Sequence, residues 1–447
     1  MLPLLNRRPL RRMHRACLWL AAILLLVAST SAQAIPAYAR QTGNACADCH
    51  AGAYGPALTP YGMRFKLNGY TDTDSNGVKI PVAAQITGTR NVPTEGKSSD
   101  LLTEADVYIA GRATDNIGGY IKIVTDNNGD NKFNSHLSDV DLRFVLKDVN
   151  VGKKEATFGV SVNNNPGFQD PVSDLFASTQ LGPPDVTGSL LNPSSPNSLA
   201  ERVIGATVYG LYDSDWYGEI GTYTSLPVSE QDRLGYAPSG DPGKLGDTGY
   251  ARFAYMKDLK KQFFSAGVVA LTTRRELPRT GPAEDVTDLG YDLTYQFIGN
   301  RKNIVQASFV NILELRHYGI LPASPFPGVT ALTQGAVHDR TLSLTYTFLQ
   351  TYSVSLAHLE STATRDVVRY EPYGIPDTTS NQFIVSWAPF GKDDSFTHLA
   401  NLKLSAIWFR FSQFNGASEN VFGAPLGFPP TSARDIDAFL VMASVAF

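Results

Sequence analysis

From residue 81 onward the chain is written in segments of about ten residues in which apolar and polar side chains alternate, the mark of a strand whose two faces meet different surroundings. In Asp139 to Lys147, Val140, Leu142, Phe144 and Leu146 face one way, while Asp139, Asp141, Arg143 and Lys147 face the other. Phe158, Val160 and Val162 alternate with Thr157, Gly159, Ser161 and Asn163, and Leu342, Leu344, Tyr346 and Phe348 with Thr341, Ser343, Thr345 and Thr347. About sixteen such segments can be counted, starting near Pro81, Glu104, Gly118, Ser138, Glu155, Val203, Trp216, Gly249, Gln262, Thr287, Asn303, Asp339, Tyr352, Asn381, His398 and Ile436.

Alternation alone suits a soluble sandwich as well as a membrane barrel. The connections separate the two. Short turns at Asp115 to Ile117, Asn150 to Lys154, Asp213 to Asp215, Asp258 to Lys261, Gly299 to Lys302 and Gln350 to Thr351 alternate with longer loops, up to the stretch from Asn165 to Arg202. Outer-membrane barrels keep that rhythm and an even strand number. The last segment, Ile436 to Phe447, stops on an aromatic residue, as chains assembled into the bacterial outer membrane commonly do. The predicted fold is therefore all-β, an antiparallel barrel of about 16 strands over residues 81–447. Composition agrees: 20 Tyr, 23 Phe and 38 Gly accompany a mean hydropathy of −0.13. A formal net charge of only −4 argues against a nucleic-acid partner.

The first 34 residues read as an export signal. Arg7, Arg8, Arg11, Arg12 and Arg15 form a basic start, Leu18 to Val27 an apolar run too short for a bilayer, and Ala32-Gln33-Ala34 a cleavage site. Cys17 falls in this leader.

Residues 35–80, between leader and barrel, carry Cys46-Ala-Asp-Cys-His50, the C-x-x-C-H string of c-type haem attachment. Two thiols three apart on one helical turn can each add to a haem vinyl group, and His50 then lies where its imidazole can ligate iron. A thioredoxin-like pair needs a βαβ setting absent here, and a zinc site needs further ligands that the segment lacks. Cys46, Cys49 and His50 are the expected attachment residues, and covalent haem c the expected cofactor. Export supports this, since c-type haem is attached outside the cytoplasmic membrane.

The segment resembles the outer-membrane cytochrome-porin fusions best known from iron-oxidising bacteria. The resemblance rests on Ala37-Tyr-Ala-Arg-Gln-Thr-Gly43, on Cys46-Ala-Asp-Cys-His50 and on Leu58-Thr-Pro-Tyr-Gly-Met-Arg-Phe-Lys-Leu-Asn-Gly-Tyr70. It implies a short, mostly helical monohaem segment before a porin-like barrel, with electron transfer across the outer membrane. In the members that define the family Fe(II) is the donor, so Fe(II) as external donor and a periplasmic cytochrome as onward partner are the expectation here. Met63 departs from members, in which that position is often basic.

A segment of this length cannot bury a haem in a core of its own. It is expected to dock in or at the periplasmic mouth of the barrel, whose lumen is wide enough. Met63, the segment's sole methionine, is a candidate second axial ligand; packing on the porphyrin edge, or a ligand from elsewhere, are the alternatives. Asp72 to Gly77 and Asp126 to Asn131 look like calcium loops but lack the closing Glu, and read as turns. The functional expectation is an electron carrier oxidising an external reductant. A conduit to an external acceptor, or a solute porin with a haem-bearing plug, are the competing forms.

Overall fold

The computed structural model describes residues 36–77, 79–94, 98–127, 132–172, 187–392 and 400–447. The export signal lies outside them, as does most of the second calcium-like string. Sixteen strands close into one barrel, each antiparallel to its neighbours, with β1 (Val82–Pro93) paired to β16 (Ala438–Ala446). The backbone N–H and C=O of Phe447 exchange hydrogen bonds with Ala84 at 2.9 and 2.7 Å, so the terminal aromatic residue belongs to the closing seam. Closure leaves no unpaired edge, as a strand assembly in hydrocarbon requires.

The two faces divide as the alternation requires. In β4 (Phe133–Val151), Leu142, Phe144 and Leu146 are exposed on the outside while Asp141 and Arg143 are buried inside. Leu289, Tyr291 and Leu293 of β10 (Ala283–Phe297) likewise point out, and Asp288 and Asp292 point in. The barrel is thus apolar outside and polar within, the inverse of a soluble protein.

All sixteen strands lie within a few residues of their expected starts, with two differences in the connections. The first and third loops, expected to be long, span only 94–98 and 128–132, because β2 (Ser99–Arg112) and β4 begin earlier than their apolar alternation does. Strand pairing continues past the apolar belt, where polar residues such as Asn134 and Ser135 face water. The connection from β14 (Thr378–Trp387) to β15 (Asn401–Gln413) spans 388–400 and is long for its end of the barrel.

The loop between β5 (Lys154–Asn163) and β6 (Val203–Tyr212) does not stay outside. Its described parts, 164–172 and 187–202, fold into the lumen. Three successive backbone amides, of Ser189, Leu190 and Leu191, donate to carboxylates of Asp339, Glu314 and Asp288, each at 2.8 Å. These acceptors lie on three adjacent strands, β12 (Gln334–Phe348), β11 (Asn303–His317) and β10. Leu190, Leu191 and Leu199 pack there against Tyr223, Tyr250, Leu271 and Ile312 of the inner wall. A buried loop must find partners for its backbone polar groups, and wall carboxylates supply them.

Candidate functional site

Residues 36–77 carry three short helices, α1 (Pro36–Thr42), α2 (Cys46–Cys49) and α3 (Pro60–Leu67), set against the inner wall at the short-turn end of the barrel. The local sequence explains each. Thr59 caps α3 by accepting from the Gly62 N–H at 3.2 Å, and Pro60 occupies the first helical position, where no amide is needed. Gly62 lets α3 lie directly on α2: a Cβ there would stand 2.2 Å from the Cys49 carbonyl oxygen. In α1, Ala37 is buried beside Ala83, Tyr108 and Ala110 of β1 and β2, and Ala39 is buried as well. Gln41 donates to the carbonyls of Tyr70 and Asp72, both at 2.8 Å, and accepts the Arg112 N–H at 2.7 Å.

The segment bonds to the wall around most of the circumference. Ala47 N–H donates to Gly391 C=O at 3.0 Å, and the Asn401 amide to Ala53 C=O at 2.8 Å. Arg301, in the turn before β11, holds Asp48 at 2.8 Å, while Asp48 also accepts the Ala45 N–H at 3.0 Å. Gln296 donates to Leu58 C=O at 2.8 Å, and Leu58 N–H to Val172 C=O in the infolded loop at 3.2 Å. Tyr209 donates to Leu67 C=O at 2.7 Å. Lys66, buried, donates to the carbonyls of Phe168 and Asp170 at 2.7 and 2.6 Å, and burial pulls its ammonium down to about 8. The infolded loop and the helical segment are therefore stitched to each other as well as to the wall.

Arg143 is the knot of this arrangement. Its Nε donates to Asp141 at 2.9 Å, its Nη2 to Gln169 of the loop at 3.0 Å, and its guanidinium lies over Tyr70 and Tyr209 at 5.7 and 5.0 Å from the ring centroids. Tyr70 in turn donates to Asp141 at 2.7 Å and stacks on Tyr38 at 5.3 Å. Apart from Asp141, two residues earlier on the same face, none of these partners is apparent from spacing in the sequence. The only signal was the inward register of Asp141 and Arg143.

Cys46 and Cys49 begin and end the single turn of α2 and are free. Burial pushes both thiols up to about 12, so they remain protonated. His50 follows immediately, its backbone paired with Leu58 in an isolated bridge. Burial draws its imidazole down to about 4, with a small opposing effect from the backbone of Ala57 and Pro56, so the ring is neutral, as metal ligation requires. Its Nδ1 is buried without a hydrogen-bond partner. Two free thiols on one turn followed by a neutral imidazole fit the donor set of a c-type haem.

Met63 is placed differently. It is buried in a cluster with Leu67, Val145, Tyr209, Tyr217, Met256 and Phe263, and Leu58 packs on the same cluster. Its thioether faces the apolar part of the wall, where methionine fills gaps between aromatic rings. On that placement Met63→Ala is expected to cost about 2–5 kcal/mol of segment docking. The red charge-transfer band of the haem-loaded protein is expected to match that of the parent. Loss of a methionine-type red band, with a fall in reduction potential, would instead make Met63 an iron ligand.

The carboxylates of the first calcium-like string are engaged by lysines, Asp72 with Lys147 at 3.2 Å and Asp74 with Lys79 at 2.9 Å.

A closed sixteen-stranded barrel with an apolar exterior and a polar lumen defines a porin-like protein of the outer membrane. No protein-family model and no curated protein matches the chain. Among solved structures it is similar to OmpT, an outer-membrane protein of Vibrio cholerae, at 10% identity over 83% of this chain and 97% of that one, with a TM-score of 0.44. It is also similar to the outer-membrane channel DcaP of Acinetobacter baumannii, at 11% identity over 84% and 99% of the chains, TM-score 0.45. An anion-selective porin from Comamonas acidovorans gives 11% identity over 82% and 98%, TM-score 0.42. The architecture is therefore read from the strand pairing of this chain alone.

Proposed function

We propose that this barrel is an outer-membrane cytochrome that moves electrons from an extracellular reductant, most simply Fe(II), to a periplasmic electron-transfer cytochrome, with the short-turn end facing the periplasm. The observation that carries the reading is the free thiol pair of Cys46 and Cys49 with the neutral imidazole of His50 beside it, held inside a membrane-spanning lumen. Cys46 and Cys49 would tether one haem c and His50 would ligate its iron. When bound, the group supplies a one-electron iron couple.

The remaining residues position and insulate. The Asp48–Arg301 pair and the Ala47–Gly391 bond fix the orientation of α2 against the wall. Leu58, Met63 and Leu67 exclude water on the side of the aromatic wall residues. The described parts of the infolded loop lie in the lumen against the segment and the wall, which favours electron passage over the solute-porin reading. A hydrocarbon core about 30 Å thick is long for one centre at one end, so the external donor must come in from the long-loop side.

Redox titration of the purified, haem-loaded protein tests the proposal. A covalent single haem with a potential at or above the Fe(III)/Fe(II) couple of its natural medium is expected, together with Fe(II)-dependent reduction of the haem band. A potential well below that couple would exclude the role of oxidant and favour delivery to an external acceptor. Absence of covalent haem would remove the electron-transfer reading altogether.

A further inference from the structure

At the short-turn end a cleft of about 320 Å³ opens between the helical segment and the turns that join β8 (Lys244–Asp258) to β9 (Gln262–Glu276) and β10 to β11. Its lining includes Ala47 and Asp48, the two residues between the motif cysteines, with Ala51 and Tyr61 from the segment and Lys260 and Arg301 from the barrel. The cleft thus reaches the attachment turn itself.

Its rim is basic after internal pairing is counted. Arg64 is matched by Asp258 at 3.3 Å, Arg301 by Asp48 at 2.8 Å, and Lys257 by Asp215. Lys260, Lys261 and Lys302 remain, all exposed and with no ion-pair partner among the described residues. Of the carboxylates at the same end, Asp213 is used by Lys154 at 2.7 Å and Asp115 by Arg112. Three unmatched cations on two adjacent turns make a local field that neighbouring side chains do not cancel.

We infer that this cleft and its lysine rim are the docking face for the acidic patch of a small periplasmic electron-transfer protein. The inference rests on the electron-transfer reading above and adds the site and charge of the partner. Redox encounters use small interfaces, and charge complementarity governs how fast they form. A partner seated here comes against Ala47 and Asp48, so the shortest route to the attachment site lies through the docking face.

The test uses the full-length, haem-loaded protein in nanodiscs and two forms of one probe, a basic mitochondrial-type cytochrome c and the same protein with its lysines succinylated. Binding to the immobilised barrel and electron transfer are measured separately, each across a range of salt. The succinylated form is expected to bind better, and to lose binding as salt rises. In Lys260→Glu/Lys261→Glu/Lys302→Glu its association is expected to slow about ten-fold or more, while the unmodified form gains. That gain is something a misfolded variant would not show. Preference of the parent for the basic probe, or a charge reversal without effect on either probe, overturns the docking face. Charge-dependent binding with no electron passage would keep the docking face and remove the electron-transfer reading instead.

Discussion

Replacing Cys46 and Cys49 together by alanine is expected to abolish covalent haem and, with it, any Fe(II)-dependent reduction of the protein. The thiols are the only cysteines in the segment, and the attachment bonds have no other nucleophile to form on. The barrel itself is expected to be untouched. Neither sulfur enters the strand ladder, and removing a small, partly buried thiol from a four-residue helix leaves the backbone bonds to Gly391 and Asn401 in place. Haem staining after a denaturing gel reads the first outcome, and the heat-dependent mobility of the barrel in outer-membrane fractions reads the second. Haem surviving denaturation in the double variant would refute the site.

The second large effect is expected at Arg143, which takes no part in attachment. It is 1% exposed, and its removal leaves the Asp141 carboxylate buried with only the hydroxyls of Tyr70 and Ser161 as donors. Breaking one side of a buried pair costs about 3–5 kcal/mol, because the remaining charge is uncompensated. The site of that loss matters more than its size. Asp141 is held in β4 by ladder bonds to β3 (Ile117–Asn127) and β5, so the barrel tolerates the change. Docking of Tyr70 and of Gln169 does not. Arg143→Ala is therefore expected to make residues 36–80 protease-sensitive and to raise single-channel conductance in planar bilayers, with heat-dependent mobility as in the parent. Arg143→Met, which keeps length and loses charge, is expected to fall between the two. Parent-like protection and conductance in Arg143→Ala would show that other contacts hold the segment without it.

These predictions draw on features of unequal visibility in the sequence. Period-two alternation is imposed by lipid on one side and water or polar lumen on the other, so Leu142, Phe144 and Leu146 declare their strand and its outward face without tertiary information. Turns such as Asp213 to Asp215 are equally plain, because left-handed residues between paired strands favour Asp, Asn and Gly; Asp213 has φ of 56° and Ser214 of 57°. The attachment motif is local chemistry and needs no fold to be read. What could not be read is what fills the lumen. The stretch from Asn165 to Arg202 has the Pro, Ser and Asn of a solvated loop, and its inward path depends on Asp288, Glu314 and Asp339, three carboxylates far away in sequence. Met63 illustrates the same limit. Its neighbours Val145, Tyr217 and Phe263 come from three different strands, and no spacing within the segment announces them.

The spread of contacts made by residues 36–80 also bears on the order in which the molecule is built. The segment is made before any strand, yet it bonds to Arg112 at the end of β2, to Arg301 ahead of β11, to Gly391 beyond β14 and to Asn401 at the start of β15. No partial sheet offers all of these at once. Seating of the helices must therefore wait for nearly the whole circumference, whereas covalent haem attachment, on the proposed reading, would have to come before the Cys46 thiol is buried. On the haem reading proposed above, maturation would be ordered by geometry: haem first, strands next, seating last. On the same reading, a chain that reached the membrane without haem would close around Cys46 and Cys49 and have no later chance to be loaded.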